Sequence, residues 1–172
     1  PDTLVPEFGL WSIPPLPDVP HELHGAPVVV VAGVYIGPPG DAGPVLAPLR
    51  QLGTPVVDLS GTVPYVESQS SLDGLFPDGG RYYWKSHFVD DLSDELIEVL
   101  LEHDAHRPSP ESLIMIRTLG GAIARVGDHE TAYPHRSASF NVSVDASWQD
   151  AALDSAAIGW ARSTWDALAP LA

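Results

Sequence analysis

The chain has no cysteine. That removes disulfides, thiolate-bound metals and cysteine nucleophiles from consideration. Basic residues are scarce: 8 Lys and Arg stand against 23 Asp and Glu, a net charge of -15 over 172 residues. Such a surface repels nucleic acid and anionic lipid, so neither nucleic acid nor membrane is expected as a partner. The acidity otherwise reads as a solubility feature, with a basic-faced partner as the alternative. No apolar run reaches the roughly 20 residues that a membrane-spanning helix needs. The longest, APVVVVAGVYIG, is interrupted by glycine and reads as a buried strand. The opening PDTLVPEFGL lacks the basic start and apolar stretch of a secretory leader. A cytoplasmic location is the expectation, with secretion left open because Pro1 is not an initiator methionine. There is no Gly-x-Ser-x-Gly nucleophile elbow. GVYIGPPGDAG has no lysine and lacks the spacing of a phosphate loop. His21 and His24 have no nearby carboxylates to complete a metal site, and His103 and His106 suit a helix end, so no metal ligand is assigned.

What is present suits one domain with a real core, since 44% of the residues are hydrophobic. Residues 1–25 read as a proline-rich, irregular lead-in and residues 26–172 as a single α+β domain. Strands are expected at 26–36, 54–60, 81–89, in SLIMIRTL and GAIARVG, and in SFNVSVDASW. Helices are expected after Asp41, around Leu72–Phe76, after Asp90 or Ser93, and over 149–168. The strand-helix-strand order at 26–60 suggests a crossover or a split unit of ferredoxin-like kind. Gly120 and Gly121 suggest a tight hairpin or a bulge. The mixture predicts a largely antiparallel sheet with helices on one face.

Such a sheet has a second face, and side-chain alternation suggests its content. In 82–88, Tyr82, Trp84, Ser86 and Phe88 alternate with Tyr83, Lys85 and His87. In 140–147, Phe140, Val142, Val144 and Ala146 alternate with Asn141, Ser143, Asp145 and Ser147. Arg117 shares a face with Leu113 and Met115. The apolar sets, including Trp84 and Phe88, are expected under the helices. The polar set is either simply wet or a binding surface, where Tyr83, Lys85, His87, Arg117, Asn141, Ser143 and Asp145 are the candidates.

GRYYWKSHFVDDLSDE, LGGAIARVGDHETAYPHRSASFNVSVDASW and IGWARSTWDALAP, in this order, resemble the substrate-binding half of FAD-linked oxidoreductases of the berberine bridge enzyme-like group, in the vanillyl-alcohol oxidase and p-cresol methylhydroxylase superfamily. VPHELHGAPVVVVAG, VLAPLRQLG and VPYVESQSSLD resemble further stretches of that domain. The resemblance implies an antiparallel sheet backed by helices, whose open face roofs the flavin with substrate between. It implies that Gly120, Gly121, Tyr133, His135 and Arg136, in the paired-glycine and Tyr-Pro-His-Arg elements, lie near the flavin. Asn141 stands where some plant members carry glutamate, and an amide cannot replace a general base.

The same resemblance implies a separate FAD-binding domain, on the same or another polypeptide, as partner, together with a small-molecule substrate. Neither the flavin pyrophosphate loop nor the C-terminal Tyr-x-Asn segment of the family is found here. The chain alone is therefore expected to bind no cofactor, with FAD belonging to the complete enzyme. Two other readings stay open. One is a stand-alone flavin-free binding protein, or a non-redox isomerase or cyclase, derived from this domain. The other is one subunit of a split oxidoreductase.

Overall fold

The computed structural model describes residues 2–17, 19–127 and 129–172. Among them are five strands: β1 (Leu4–Ser12), β2 (Pro27–Tyr35), β3 (Arg81–Val89), β4 (Leu113–Thr118) and β5 (Phe140–Trp148). They form one sheet in the order β2-β1-β4-β5-β3, and every neighbouring pair is antiparallel. β3 and β4 thus run parallel with β5 between them, joined by α3 (Asp94–Asp104). This is a split β-α-β unit, the ferredoxin-like element, one unit later in the chain than the sequence suggests.

α3 begins where Ser93 accepts the Leu96 N–H at 3.2 Å, with Asp94 and Glu95 in the first turn. Such a cap stabilises a helix by about 1 kcal/mol. Leu96 and Leu100, one turn apart, are buried. The second core helix, α5 (Asp154–Leu168), buries Ala157, Trp160, Ala161, Thr164 and Leu168, a stripe at helical spacing. Both helices pack on the face carrying Ile114, Val142, Val144 and Ala146, and that contact is the core. Each large apolar side chain buried there contributes roughly 1.5–3 kcal/mol. The fold is α+β, with helices covering one face of an antiparallel sheet.

Three expectations need correction. Residues 54–60 form no strand; the Asp58 carboxylate accepts the Ser60 N–H at 2.9 Å, a local bond made in place of a strand ladder. GAIARVG is not a strand either, since Ala122–Arg125 form a short helix, α4. Gly120 and Gly121, at φ 111° and 51°, end β4 in a conformation that favours glycine, and the helix starts from that turn. The lead-in is irregular only in part. Leu4–Ser12 is a strand between β2 and β4, although Pro6 and Gly9 argue against one. Pro6 lies just past the β1–β4 ladder, which ends at Glu7 opposite Arg117, and its carbonyl accepts the Thr118 hydroxyl at 2.8 Å. Gly9 leaves room for the Met115 side chain, whose sulfur would stand 2.7 Å from a Cβ there.

Between β2 and β3 lie α1 (Ala42–Arg50) and α2 (Tyr65–Ser70), neither of which buries a residue. This stretch exposes Leu52, Val56, Leu59, Val63 and Val66.

Candidate functional site

The strand register sets three rows across the face away from α3 and α5. Phe88, Asn141, Arg117 and Glu7 stand side by side in the first. Ser86, Ser143, Met115 and Gly9 form the second. Trp84, Asp145 and Leu113 form the third. Arg117, Asn141, Ser143 and Asp145 are therefore brought together as the sequence predicts.

Tyr83, Lys85 and His87 are not. They pair with Ala146, Val144 and Val142, so they share the helix-packed face. Lys85 Nζ lies 3.6 Å from the centre of the Trp165 ring. The His87 ring stacks on Trp165 at 4.5 Å, and its Nε2 is 2.9 Å from the Trp165 carbonyl oxygen. Arg162 Nε donates to the Tyr83 hydroxyl at 3.1 Å, which holds that phenol below its ordinary pKa. The assignment of Trp84 and Phe88 to the helix side is correspondingly wrong, while that of Phe140 and Val142 holds. The physical reason is that α5 meets β3 with Trp165 and Arg162, which accept cationic and aromatic neighbours as readily as aliphatic ones. Trp84 is 50% exposed on the open side.

Asp145 is the buried polar centre of the open face, 2% exposed. Burial pushes its carboxyl above the ordinary carboxylate range; the Ser143 hydroxyl, donating to Oδ1, and the Arg117 charge pull it partly back. Arg117 Nη2 lies 3.8 Å from Asp145 Oδ2, too far for a hydrogen bond. The Arg117 guanidinium makes no hydrogen bond to the described residues and its side chain is 37% exposed. The neighbouring Asn141 donates from Nδ2 to the His87 carbonyl at 3.3 Å, which fixes its amide and leaves the Oδ1 side available.

The excursion between β4 and β5 closes one end of this face. Leu119 N–H donates to the Ser139 carbonyl at 2.8 Å at its neck. The His135 ring stacks on Phe88 at 3.8 Å and 13°. Tyr133 meets Phe88 edge-on at 6.4 Å. Arg136, 8% exposed, donates to the Ile123 carbonyl at 2.9 Å and to the Thr131 hydroxyl. Its guanidinium sits 5.5 Å from the Tyr133 ring centre. Arg136 thus pins the loop, and Tyr133 and His135 are presented beside the Phe88–Asn141–Arg117 row. At the other end, Phe76 packs edge-on against Trp84 at 5.5 Å.

Trp84, Met115 and Glu7 join the site without having been singled out as site residues. Alternation could not select Trp84, because both faces of β3 carry aromatics. Only the pairing with the unambiguous Val142-Val144-Ala146 side of β5 fixes it. Glu7 lies on β1, which the sequence did not announce.

The open face suits a planar ring bearing carbonyl acceptors: an exposed indole, a soft thioether and a guanidinium with free donors lie on one surface. It is not a seat for a pyrophosphate. Gly37–Asp41 lead to α1 without a lysine, and the other arginines near the sheet are engaged by Asp154, Asp104, Asp2, Tyr83 or the Ile123 carbonyl. The described residues contain no group of three potential metal ligands.

No protein-family model matches the sequence. An FAD-linked oxidoreductase of Dictyostelium discoideum is 30% identical over 132 residues, which cover 73% of this chain and 29% of that protein. A berberine bridge enzyme-like protein of Arabidopsis thaliana superposes with a TM-score of 0.74 at 16% identity, covering 99% of this chain and 37% of the other. An oxidoreductase that catalyses the terminal step of gilvocarcin biosynthesis, solved with pregilvocarcin, gives a TM-score of 0.72 at 23% identity over 98% of this chain and 34% of its own. The chain thus spans about a third of the length of these proteins. In its fold the chain matches berberine bridge enzyme-like proteins, and over most of its length its sequence is similar to that of an FAD-linked oxidoreductase.

Proposed function

We propose that this chain is the substrate-binding domain of a FAD-dependent oxidoreductase, with the flavin held by a FAD-binding domain on the same or a separate polypeptide. The open sheet face roofs the flavin ring and shapes the pocket for a small-molecule substrate. One observation carries the reading: the helix-packed face is a continuous core, while the opposite face gathers Trp84, Met115, Arg117, Asn141 and buried Asp145.

When bound, the flavin would supply the redox chemistry, taking a hydride or its equivalent from the substrate. This chain's residues supply position and polarity. Trp84 offers an apolar plate, and Arg117 offers unengaged donors to a carbonyl or anionic group. Asn141 orients by hydrogen bonding and moves no proton. Asp145, its carboxyl raised above the ordinary range by burial, accepts from the Ser143 hydroxyl and sets the polarity of the face beside Arg117. Lys85 and His87 hold β3 against α5 and stay away from the substrate.

The test begins with the gene. An open reading frame that also encodes a flavin-binding domain, and a full-length product carrying stoichiometric flavin after desalting, are expected. The isolated 172-residue chain should be colourless and release no hydrogen peroxide. A stoichiometric yellow chromophore in that isolated chain would overturn the assignment.

A further inference from the structure

Between β1 and β2 the chain makes a single 3-10 turn, His21–Leu23, capped by His24. Backbone bonds hold it in place. The His24 N–H donates to the His21 carbonyl at 3.2 Å. The Gly25 N–H donates to the Ile13 carbonyl at 2.8 Å and the Ile13 N–H to the Ala26 carbonyl at 2.9 Å, which ties the turn to the end of β1. Gly25, at φ 78°, takes the left-handed conformation that reverses the chain into β2. In a 3-10 turn, side chains three residues apart lie one above the other. The His21 and His24 rings accordingly meet, with their centres 5.1 Å apart and their planes at 48°.

The tautomer of His24 is set by the same turn. Its Nε2 lies 3.0 Å from the carbonyl oxygen of Val19, a buried residue. A carbonyl only accepts, so the hydrogen is on Nε2, and Nδ1 carries the lone pair of the neutral ring. Imidazoles that bind a metal are commonly held in this way, with the far N–H on a backbone carbonyl. The spacing of the rings fits the same chemistry. A zinc–nitrogen bond of about 2.0–2.1 Å puts each ring centre about 3.2 Å from the ion, so two rings at a tetrahedral angle stand about 5.2 Å apart.

We infer that His21 and His24 together bind one divalent, imidazole-seeking ion of the zinc class, through Nδ1 of His24 and a ring nitrogen of His21. Two protein ligands, rather than the three or four of a catalytic or structural zinc site, make the ion exchangeable, with water in its other positions. The net charge of -15 favours divalent cations near this surface. All of these contacts lie within residues 13–26, and they hold whatever packs against the rest of the domain and whether or not a flavin is bound.

Zinc titrated into the 15N-labelled 172-residue chain, followed by long-range 1H–15N correlation through the imidazole nitrogens, tests this. One equivalent should shift the His24 Nδ1 and His21 ring resonances, leave the hydrogen on His24 Nε2, and leave the other five of the seven histidines unmoved. His21→Asn and His24→Asn should each weaken zinc binding about tenfold or more with circular dichroism unchanged, and His106→Asn, beyond the end of α3, should bind as wild type does. Zinc that leaves the His21 and His24 nitrogens of the wild type unshifted, an adventitious ion only, overturns the inference. So does coordination through His24 Nε2, or a His21→Asn variant that binds as tightly as wild type.

Discussion

Lys85 is the only lysine in the sequence, and its position decides whether β3 offers its cation to a ligand or to the fold. Nζ stands 3.6 Å from the Trp165 ring centre on the helix-packed side. A cation over an indole contributes about 0.5–1 kcal/mol when exposed and about 2 when desolvated. Lys85 is half-buried, so about 1 kcal/mol is the expected worth of the contact. Lys85→Met keeps the stem and removes the charge. It should lower the unfolding midpoint by roughly 3 °C in a domain of this size. Trp165→Leu alone should cost more, since it also loses the stack on His87 and the hydrogen bond to Ser86. The double variant isolates the pair, and a coupling energy near 1 kcal/mol is expected from denaturant melts of the four proteins. A coupling energy indistinguishable from zero would refute the packing role assigned to Lys85.

Other consequences are open to the same kind of measurement. Leu96, fully buried on α3 against the sheet, should cost about 2–5 kcal/mol when replaced by alanine, read from urea unfolding. Asp145 makes a pH-dependent prediction. Its native carboxyl titrates above the unfolded one, so the folded state binds this proton more tightly, and its contribution is most favourable below the unfolded pKa and is lost as pH rises through the native value. Asp145→Asn should therefore gain unfolding temperature relative to wild type at pH 7 and lose that advantage near pH 4; a constant difference between the two pH values would contradict the burial argument.

How far the sequence revealed this molecule depended on where its alternation was unambiguous. Phe140-x-Val142-x-Val144-x-Ala146 has one apolar side and one polar side, and both landed as expected. β3 has aromatics on both sides, and the decision between them belonged to α5, which lies far along the chain, through Trp165 and Arg162, the latter 79 residues from Tyr83. β1 was hidden by Pro6 and Gly9, whose positions are tolerable only because the β4 ladder stops at Glu7 and Met115 needs the space. Residues 54–60 looked extended because Val56, Val57 and Leu59 favour strands, yet no strand lies beside them to complete the pairing. The Tyr-Pro-His-Arg loop was placed near the flavin side by resemblance alone. Its stack on Phe88 is a long-range contact that no local pattern encodes.

The central claim is that the Trp84–Arg117–Asp145 face, and not the Lys85–His87 face, works on the flavin. Sulfite adduct formation in the full-length flavoprotein measures this without knowledge of the substrate, because the adduct places negative charge on the ring and responds to nearby cations and to ring access. Arg117→Met should weaken the adduct about tenfold, equivalent to roughly 1.4 kcal/mol of lost charge stabilisation, and Trp84→Ala should change its rate of formation. Lys85→Met should leave both unchanged. A sulfite affinity that responds to Lys85→Met and ignores Arg117→Met would contradict the account.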